Sequence, residues 1–187
     1  MKTQLIDNIV SQKELFFLYK EIIGTPNWTL SGTAGRKEYP SNKNFSNGPL
    51  LKIKADRAGD HLIHNYPLYL YVKTLVFRIE EILKKKNIGM NTNIRRAWLN
   101  STYSGSDNHW LHRDYEEDIS QTILMFITPI WEEAWKGSLY VDGQEFKFKP
   151  GSAVIFDSNE FHTGENPETK SQNWNRITLN IVVENKF

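Results

Sequence analysis

Asn108-His109-Trp110-Leu111-His112-Arg113-Asp114-Tyr115 is the stretch whose reading decides the rest of the chain. Side chains two apart on an extended strand share a face, so a strand over Trp110 to Tyr115 aims Trp110, His112 and Asp114 one way and turns Arg113 outward. An imidazole and a carboxylate converging on one point make half of a metal site. With no cysteine in the chain, zinc ribbons, disulfides and thiol nucleophiles are excluded, and any metal is held by His and carboxylate.

The sequence around this stretch is β in character. Candidate strands run over Asn93 to Tyr103, Ile119 to Thr128, Ser138 to Val141, Glu145 to Lys149, Ser152 to Asp157 and Asn175 to Val183. Turn signals at Ser104-Gly105, Asp142-Gly143, Pro150-Gly151 and Thr163-Gly164 separate them. Many short strands with few helices predict a sandwich or jelly roll, mainly β with flanking helices (α+β). Asp114 and His162 are separated by room for about three or four strands of ordinary length, enough for the chain to return beside itself. His162 then supplies a second imidazole, and two His with one carboxylate is the set that leaves open positions on non-haem Fe(II).

The last strand carries a further signal. Ile177, Leu179, Ile181 and Val183 form an apolar face, and Arg176, Thr178 and Asn180 alternate with them. A polar strand face commonly meets water; here it is expected to line a cavity, where Arg176 and Thr178 form a fork for a carboxylate.

Upstream, Ser11-Gln12-Lys13-Glu14 has the spacing of a capping box, followed by Leu15, Leu18, Tyr19 and Ile22 at helical intervals up to Gly24. A second helix is expected from Pro67, with Leu70, Leu75, Ile79, Ile82 and Leu83 on one side and a stop at Gly89 after Lys84-Lys85-Lys86. Thr25 to Asp60 is rich in Gly and Pro and reads as long loops with short strands, Leu50-Leu51-Lys52-Ile53 its only strand-like piece. The 187 residues fit a single domain, 1–92 as helices and loops packed on a β core of 93–187. A formal net charge of +1 gives no field to gather nucleic acid or an anionic membrane. Met1 to Val10 lacks the apolar core of a signal peptide or span, so the expected location is the cytoplasm.

The ordered set His112-x-Asp114, His162, Arg176-x-Thr178 resembles the Fe(II)/2-oxoglutarate-dependent dioxygenase superfamily, and most closely its small prolyl-4-hydroxylase-like members from bacteria and phages. Thr128 to Leu139 is similar to the family's aromatic-rich Trp-Gly-Gly-Glu-Leu turn, with Lys136 in place of the first Gly and Ser138 in place of the acidic residue. Lys149 to Ser158 is similar to the strand that leads into the distal His. Between His162 and Arg176, Glu165 to Asn173 reads as a looped insertion.

The resemblance implies a double-stranded β-helix in which His112, Asp114 and His162 bind Fe(II). Arg176, assisted by Thr178, holds the distal carboxylate of the co-substrate 2-oxoglutarate, and Asn100 and Tyr103 make further contacts to the co-substrate or the ligands. It implies molecular oxygen as a reactant, release of succinate and CO2, and hydroxylation of an unactivated C–H bond. Asp114 fills the coordination position that a halogenase leaves to halide.

A small molecule is the favoured substrate, ahead of a peptide or sugar. Trp110, Tyr115, Trp131 and Trp135 are candidates for the mouth of the site, and Arg36, Lys37, Lys52, Lys54 and Arg57 for an anionic group. The main alternative is a cupin-like metal-binding domain without 2-oxoglutarate chemistry, followed by a metal-free β-sandwich interaction module. His61-x-x-His64 is a weaker metal pair. A kinase reading of His112-Arg113-Asp114 fails because position 119 is Ile and neither Asp-Phe-Gly nor a Gly-rich loop occurs.

Overall fold

The structure is a computed structural model that describes residues 2–24, 28–31, 44–52, 66–104, 111–115, 120–168 and 174–184, with backbone alone for 28–31, 44–52 and Tyr66. Ten strands and two helices occur in it: β1 (Gln4–Ile6), α1 (Gln12–Ile23), β2 (Trp28–Ser31), β3 (Asn44–Lys52), α2 (Tyr66–Lys84), β4 (Ile94–Thr102), β5 (Ser120–Phe126), β6 (Leu139–Val141), β7 (Gln144–Phe146), β8 (Ala153–Asp157), β9 (His162–Gly164) and β10 (Arg176–Glu184). A single 3-10 turn covers Glu133–Trp135.

The strands form two antiparallel sheets. One has seven strands in the order β1-β8-β5-β10-β4-β3-β2, the other three in the order β7-β6-β9. Leu124, Phe126, Val154 and Phe156 of the larger sheet and Leu139, Val141, Phe146 and Phe148 of the smaller sheet and its continuation fill the space between them. This is the expected double-stranded β-helix. The Asp142-Gly143 hairpin that joins β6 to β7 has φ +46° and +80° at its two central residues, the twist-matched two-residue turn that Gly and Asp permit.

The opposite face of the larger sheet is covered by the helices. Leu15, Leu18 and Ile22 of α1 and Leu68, Val72, Leu75, Val76, Ile79 and Leu83 of α2 bury against Ile177, Leu179, Ile181 and Val183 of β10 and their neighbours. At α1 the capping box forms as expected. The Ser11 hydroxyl accepts from the Glu14 N–H at 3.2 Å, and the Glu14 carboxylate accepts from the Ser11 N–H at 3.0 Å. No helix among the described residues is long and apolar enough to cross a membrane.

Several expectations need correction. Leu70 is 47% exposed; the buried stripe runs 68, 72, 75, 76, 79, 83, and position 70 lies about 200° around the helix from 68. Helix α2 ends at Lys84, before Gly89. Asn87 takes the left-handed conformation, φ +58°, with Ile88 N–H bonded to Leu83 O and Asn87 N–H to Lys84 O, both at 3.0 Å. Asn tolerates that conformation through its short polar side chain, so Gly is not needed there.

Among its described residues the N-terminal half is also more regular than its composition suggested. Leu50 to Lys52 close a nine-residue strand, with Ile53 outside the described residues, and a register shift between Asn47 and Leu51 absorbs Gly48-Pro49. The predicted strand over Trp110 to Tyr115 is absent: among 111–115 only His112 pairs, as an isolated bridge to His162. The Asp114 and Tyr115 N–H groups both turn to Ser158 O instead, at 3.0 and 3.1 Å.

Candidate functional site

Although the strand does not form, His112 and Asp114 converge. The bridge to His162 is reciprocal, His112 N–H to His162 O at 3.0 Å and His162 N–H to His112 O at 2.9 Å, which extends the smaller sheet by one residue beyond β9. The two imidazoles lie 4.3 Å apart between centroids. One ligand atom from each of His112, Asp114 and His162 lies within 4.8 Å of the others, so the three can hold one metal ion.

Each of two ligands is held by a specific partner. The Nδ1 of His162 is 3.1 Å from the Glu160 carbonyl. A carbonyl only accepts, so Nδ1 carries the proton and Nε2 keeps its lone pair, 3.8 Å from Asp114 Oδ2. Burial holds the imidazole below its ordinary pKa, the Asp114 carboxylate opposing and His112 reinforcing the shift. It is therefore neutral at neutral pH, the state a ligand requires.

Asp114 Oδ2 accepts a 2.7 Å bond from the Thr122 hydroxyl of β5. That uses Thr122's one proton, so the 2.9 Å contact between Thr122 and Ser158 is a bond donated by Ser158. The result is a relay from Ser158 through Thr122 to Asp114 in which both hydroxyl residues are at most 1% exposed.

The larger sheet brings Arg176, Thr178 and Asn180 onto the face that carries Thr122. β10 lies between β5 and β4, and its register sets Thr122, Val182 and Arg96 in one row, Leu124, Asn180 and Trp98 in the next, then Phe126, Thr178 and Asn100, and last Arg176 beside Thr102. The polar face of β10 is thus turned away from water and buried: Arg176, Thr178 and Asn180 are 2%, 1% and 4% exposed. Asn100 stands across from Thr178 as expected of a residue of this face, and Tyr103 follows the end of β4 near the Arg176 end.

Arg176 is seated by the turn after the 3-10 segment. Its Nε donates to Gly137 O at 2.7 Å. A Cβ on Gly137 would stand 2.8 Å from the Trp131 ring, and one on Gly164 would stand 3.3 Å from Arg176 Nη2. Gly164 thus lets the guanidinium pack close beside β9, two residues or about 7 Å along the strand from His162, where a Cβ would require it to give by a few tenths of an ångström. Burial pushes the Arg176 pKa down to about 10, the Glu165 carboxylate opposing, so the group is still charged at neutral pH. Its Nη2 has no hydrogen-bond partner among the described residues. A buried charged donor left without a partner is costly, and an acceptor such as an anion would satisfy it.

Other expected residues fall elsewhere. Trp131 stacks on Phe148 with centroids 4.3 Å apart and donates its Nε1–H to Lys136 O at 2.7 Å, so it buttresses the Arg176 turn. Trp135 meets Trp131 edge-on at 5.6 Å. The expected insertion after His162 begins as an anchored segment: Glu165 Oε2 accepts from the Gly137 and Ser138 N–H groups at 3.1 and 3.2 Å, and Pro167 bridges to Lys136. Trp110, Arg36, Lys37, Lys54, Arg57 and the His61/His64 pair lie outside the described residues, as does the side chain of Lys52. Sequence reading missed Thr122, Ser158 and Gly164, whose roles arise only from which strands pair.

No family model and no curated protein matches the sequence. The fold has solved counterparts. A prolyl-4-hydroxylase from Pseudomonas putida superposes with a TM-score of 0.64 at 14% identity, covering 97% of this chain and 92% of its own. A 2OG-Fe(II) oxygenase family oxidoreductase from Burkholderia pseudomallei gives 0.67 at 16%, covering 96% and 84%. HygX from Streptomyces hygroscopicus, solved with nickel and 2-oxoglutarate bound, gives 0.59 at 8%, covering 99% and 83%. The fold is therefore the double-stranded β-helix of the 2OG-Fe(II) oxygenases, prolyl-4-hydroxylases among them, as the sequence resemblance implied.

Proposed function

We propose that this protein is an Fe(II)- and 2-oxoglutarate-dependent dioxygenase that hydroxylates an unactivated C–H bond of a small molecule. The observation that carries the reading is the open, buried guanidinium of Arg176 on the same sheet face as the His112/Asp114/His162 cluster. A metal site alone suits a cupin-like domain equally well. A second, cationic group beside Gly164, two residues along β9 from His162, favours a metal-chelating co-substrate with a distal carboxylate.

In this reading His112, Asp114 and His162 hold Fe(II), and Arg176 with the Thr178 hydroxyl orients the distal carboxylate of 2-oxoglutarate. Iron bound there supplies oxygen activation coupled to oxidative decarboxylation of the co-substrate, so that one O2 and one 2-oxoglutarate convert R–H to R–OH with release of succinate and CO2. The protein's own part is preorganisation. The Glu160 carbonyl fixes the His162 tautomer, the Ser158–Thr122 relay fixes the Asp114 carboxylate, and the apolar lining of Leu124, Phe126 and Phe156 keeps water from the reacting end.

Anaerobic titration with Fe(II) and then 2-oxoglutarate tests this. Expected are saturable metal binding, a further rise in thermal midpoint with 2-oxoglutarate, and loss of the second step in Arg176→Ala. Metal binding with no response to 2-oxoglutarate would favour the cupin-like domain. Cofactor binding unchanged in His112→Ala, Asp114→Ala and Arg176→Ala would refute the site itself.

A further inference from the structure

The sheet row that supports the metal-binding cluster holds one more group without a role so far. Thr122, Val182 and Arg96 are paired partners across β5, β10 and β4, so their side chains leave the sheet on one face, and Thr122 is the residue bonded to Asp114. With strands about 4.8 Å apart, Arg96 is about 10 Å from Thr122 between Cα atoms, with only the short Val182 between them.

The Arg96 guanidinium is braced. Its central carbon lies 4.3 Å from the centroid of the Trp98 ring, the next residue along the same face. Stacking uses the flat face of the guanidinium and leaves its edge free for in-plane donors. On that edge Nε is buried and has no hydrogen-bond partner among the described residues. Nε–H with a neighbouring Nη–H is the pair that a carboxylate engages bidentately. The face thus has a cation at each end: Arg176 at the far end, and Arg96 at the metal end.

We infer that Arg96, held on Trp98, selects an anionic substrate: a small molecule whose carboxylate docks on Arg96 and places a carbon a few bonds away at the metal. This rests on the oxygenase reading, in which Arg176 is already committed to the co-substrate. The same chemistry has a second source, the co-substrate's own metal-side carboxylate, and the test separates the two.

The test uses the whole protein loaded anaerobically with Fe(II) and 2-oxoglutarate, probed with a panel of free amino acids against the matching amino-acid amides. Thermal midpoint is the readout, with the 2-oxoglutarate Kd measured in parallel. At least one acid should raise the midpoint by about 2 °C or more where its amide does not. Arg96→Gln should erase that difference and Arg96→Lys keep part of it, both retaining 2-oxoglutarate affinity within about twofold. The inference fails if wild type separates no acid from its amide, or if Arg96→Gln still does. It also fails if Arg96→Gln weakens 2-oxoglutarate by about tenfold or more, which would assign Arg96 to the co-substrate. Acid selectivity without 2-oxoglutarate binding in wild type would leave Arg96 as an anion site and remove the oxygenase reading instead.

Discussion

On one face of β10, Ile177, Leu179, Ile181 and Val183 pack under the two helices; on the other, Arg176, Thr178 and Asn180 are as thoroughly hidden, none more than 4% exposed. Burial is equal and its energetic meaning is opposite. Each helix-side residue gains about 1.5–3 kcal/mol from leaving water. The site-side residues lose hydration and recover it only in part, since Arg176 keeps one guanidinium nitrogen without a partner among the described residues. A fold tolerates that where a ligand completes the bonding. On the function proposed above, the strand separates the residues that hold the molecule together from those that bind a ligand.

Substitutions on the two faces should separate the same way. The largest effect is expected from Asp114→Ala, which removes one of three metal ligands and leaves the Thr122 hydroxyl without its acceptor. Iron affinity should fall about a thousandfold, roughly 4 kcal/mol, in anaerobic titration, with the apo thermal midpoint nearly unmoved. Leu179→Ala on the opposite face should do the reverse: about 3 kcal/mol less stable to urea, with iron and 2-oxoglutarate affinities within about twofold. Arg176→Met should weaken 2-oxoglutarate about a hundredfold yet change apo stability by less than about 1 kcal/mol, because it removes a costly buried charge along with its bond to Gly137. A large loss of apo stability in Arg176→Met would break the comparison, since the polar face would then be structural after all.

What the sequence made legible divides along similar lines. The alternation in 176–183 and the capping box at Ser11 are local patterns and both reappear in the structure, and the distinctive residues His112, Asp114 and His162 converge there. Thr122 and Ser158 looked like ordinary strand and turn residues because their relay depends on β5 pairing with β8, 36 positions apart. The seat at Gly164 was invisible for the same reason. The strand drawn through His112 failed because Ser158 O draws off the Asp114 and Tyr115 N–H groups, a partner that no local alternation reveals. Leu70 failed more simply, by a rotation about the helix axis that a short apolar series leaves open.

Two smaller predictions sharpen the contrast between a cushioned helix side and a strained site side. The Ser11 backbone N–H, and after it Arg78 at 2.8 Å, hold the Glu14 carboxyl below its ordinary pKa. A depressed carboxyl stabilises fully above the unfolded value of about 4.5 and loses that contribution as pH falls through the lower folded value. Glu14→Gln should therefore lower stability at pH 7 by about 1 kcal/mol or less, the group being a third exposed. The same variant should flatten the acid limb of a stability-against-pH curve while leaving cofactor affinities alone.

Strain is concentrated at the Arg176 end of the site. Lys136 has φ +58° and ψ −139°, backbone territory that a residue with a Cβ rarely enters, and it precedes Gly137 at φ +86°. The conformation persists because Trp131 bonds Lys136 O, Glu165 bonds the Gly137 and Ser138 N–H groups, and Arg176 bonds Gly137 O. Strain of this kind costs of order 1–3 kcal/mol. Lys136→Gly relieves it, at the expense of about 1 kcal/mol of added chain entropy in the unfolded state and of the exposed, weakly contributing ion pair with Glu168 at 2.6 Å. The net expectation is a gain of about 0.5–1 kcal/mol in urea unfolding with 2-oxoglutarate affinity unchanged. A stability gain accompanied by weaker 2-oxoglutarate binding would show that Lys136 sets the aim of the Arg176 guanidinium as well as bearing the turn.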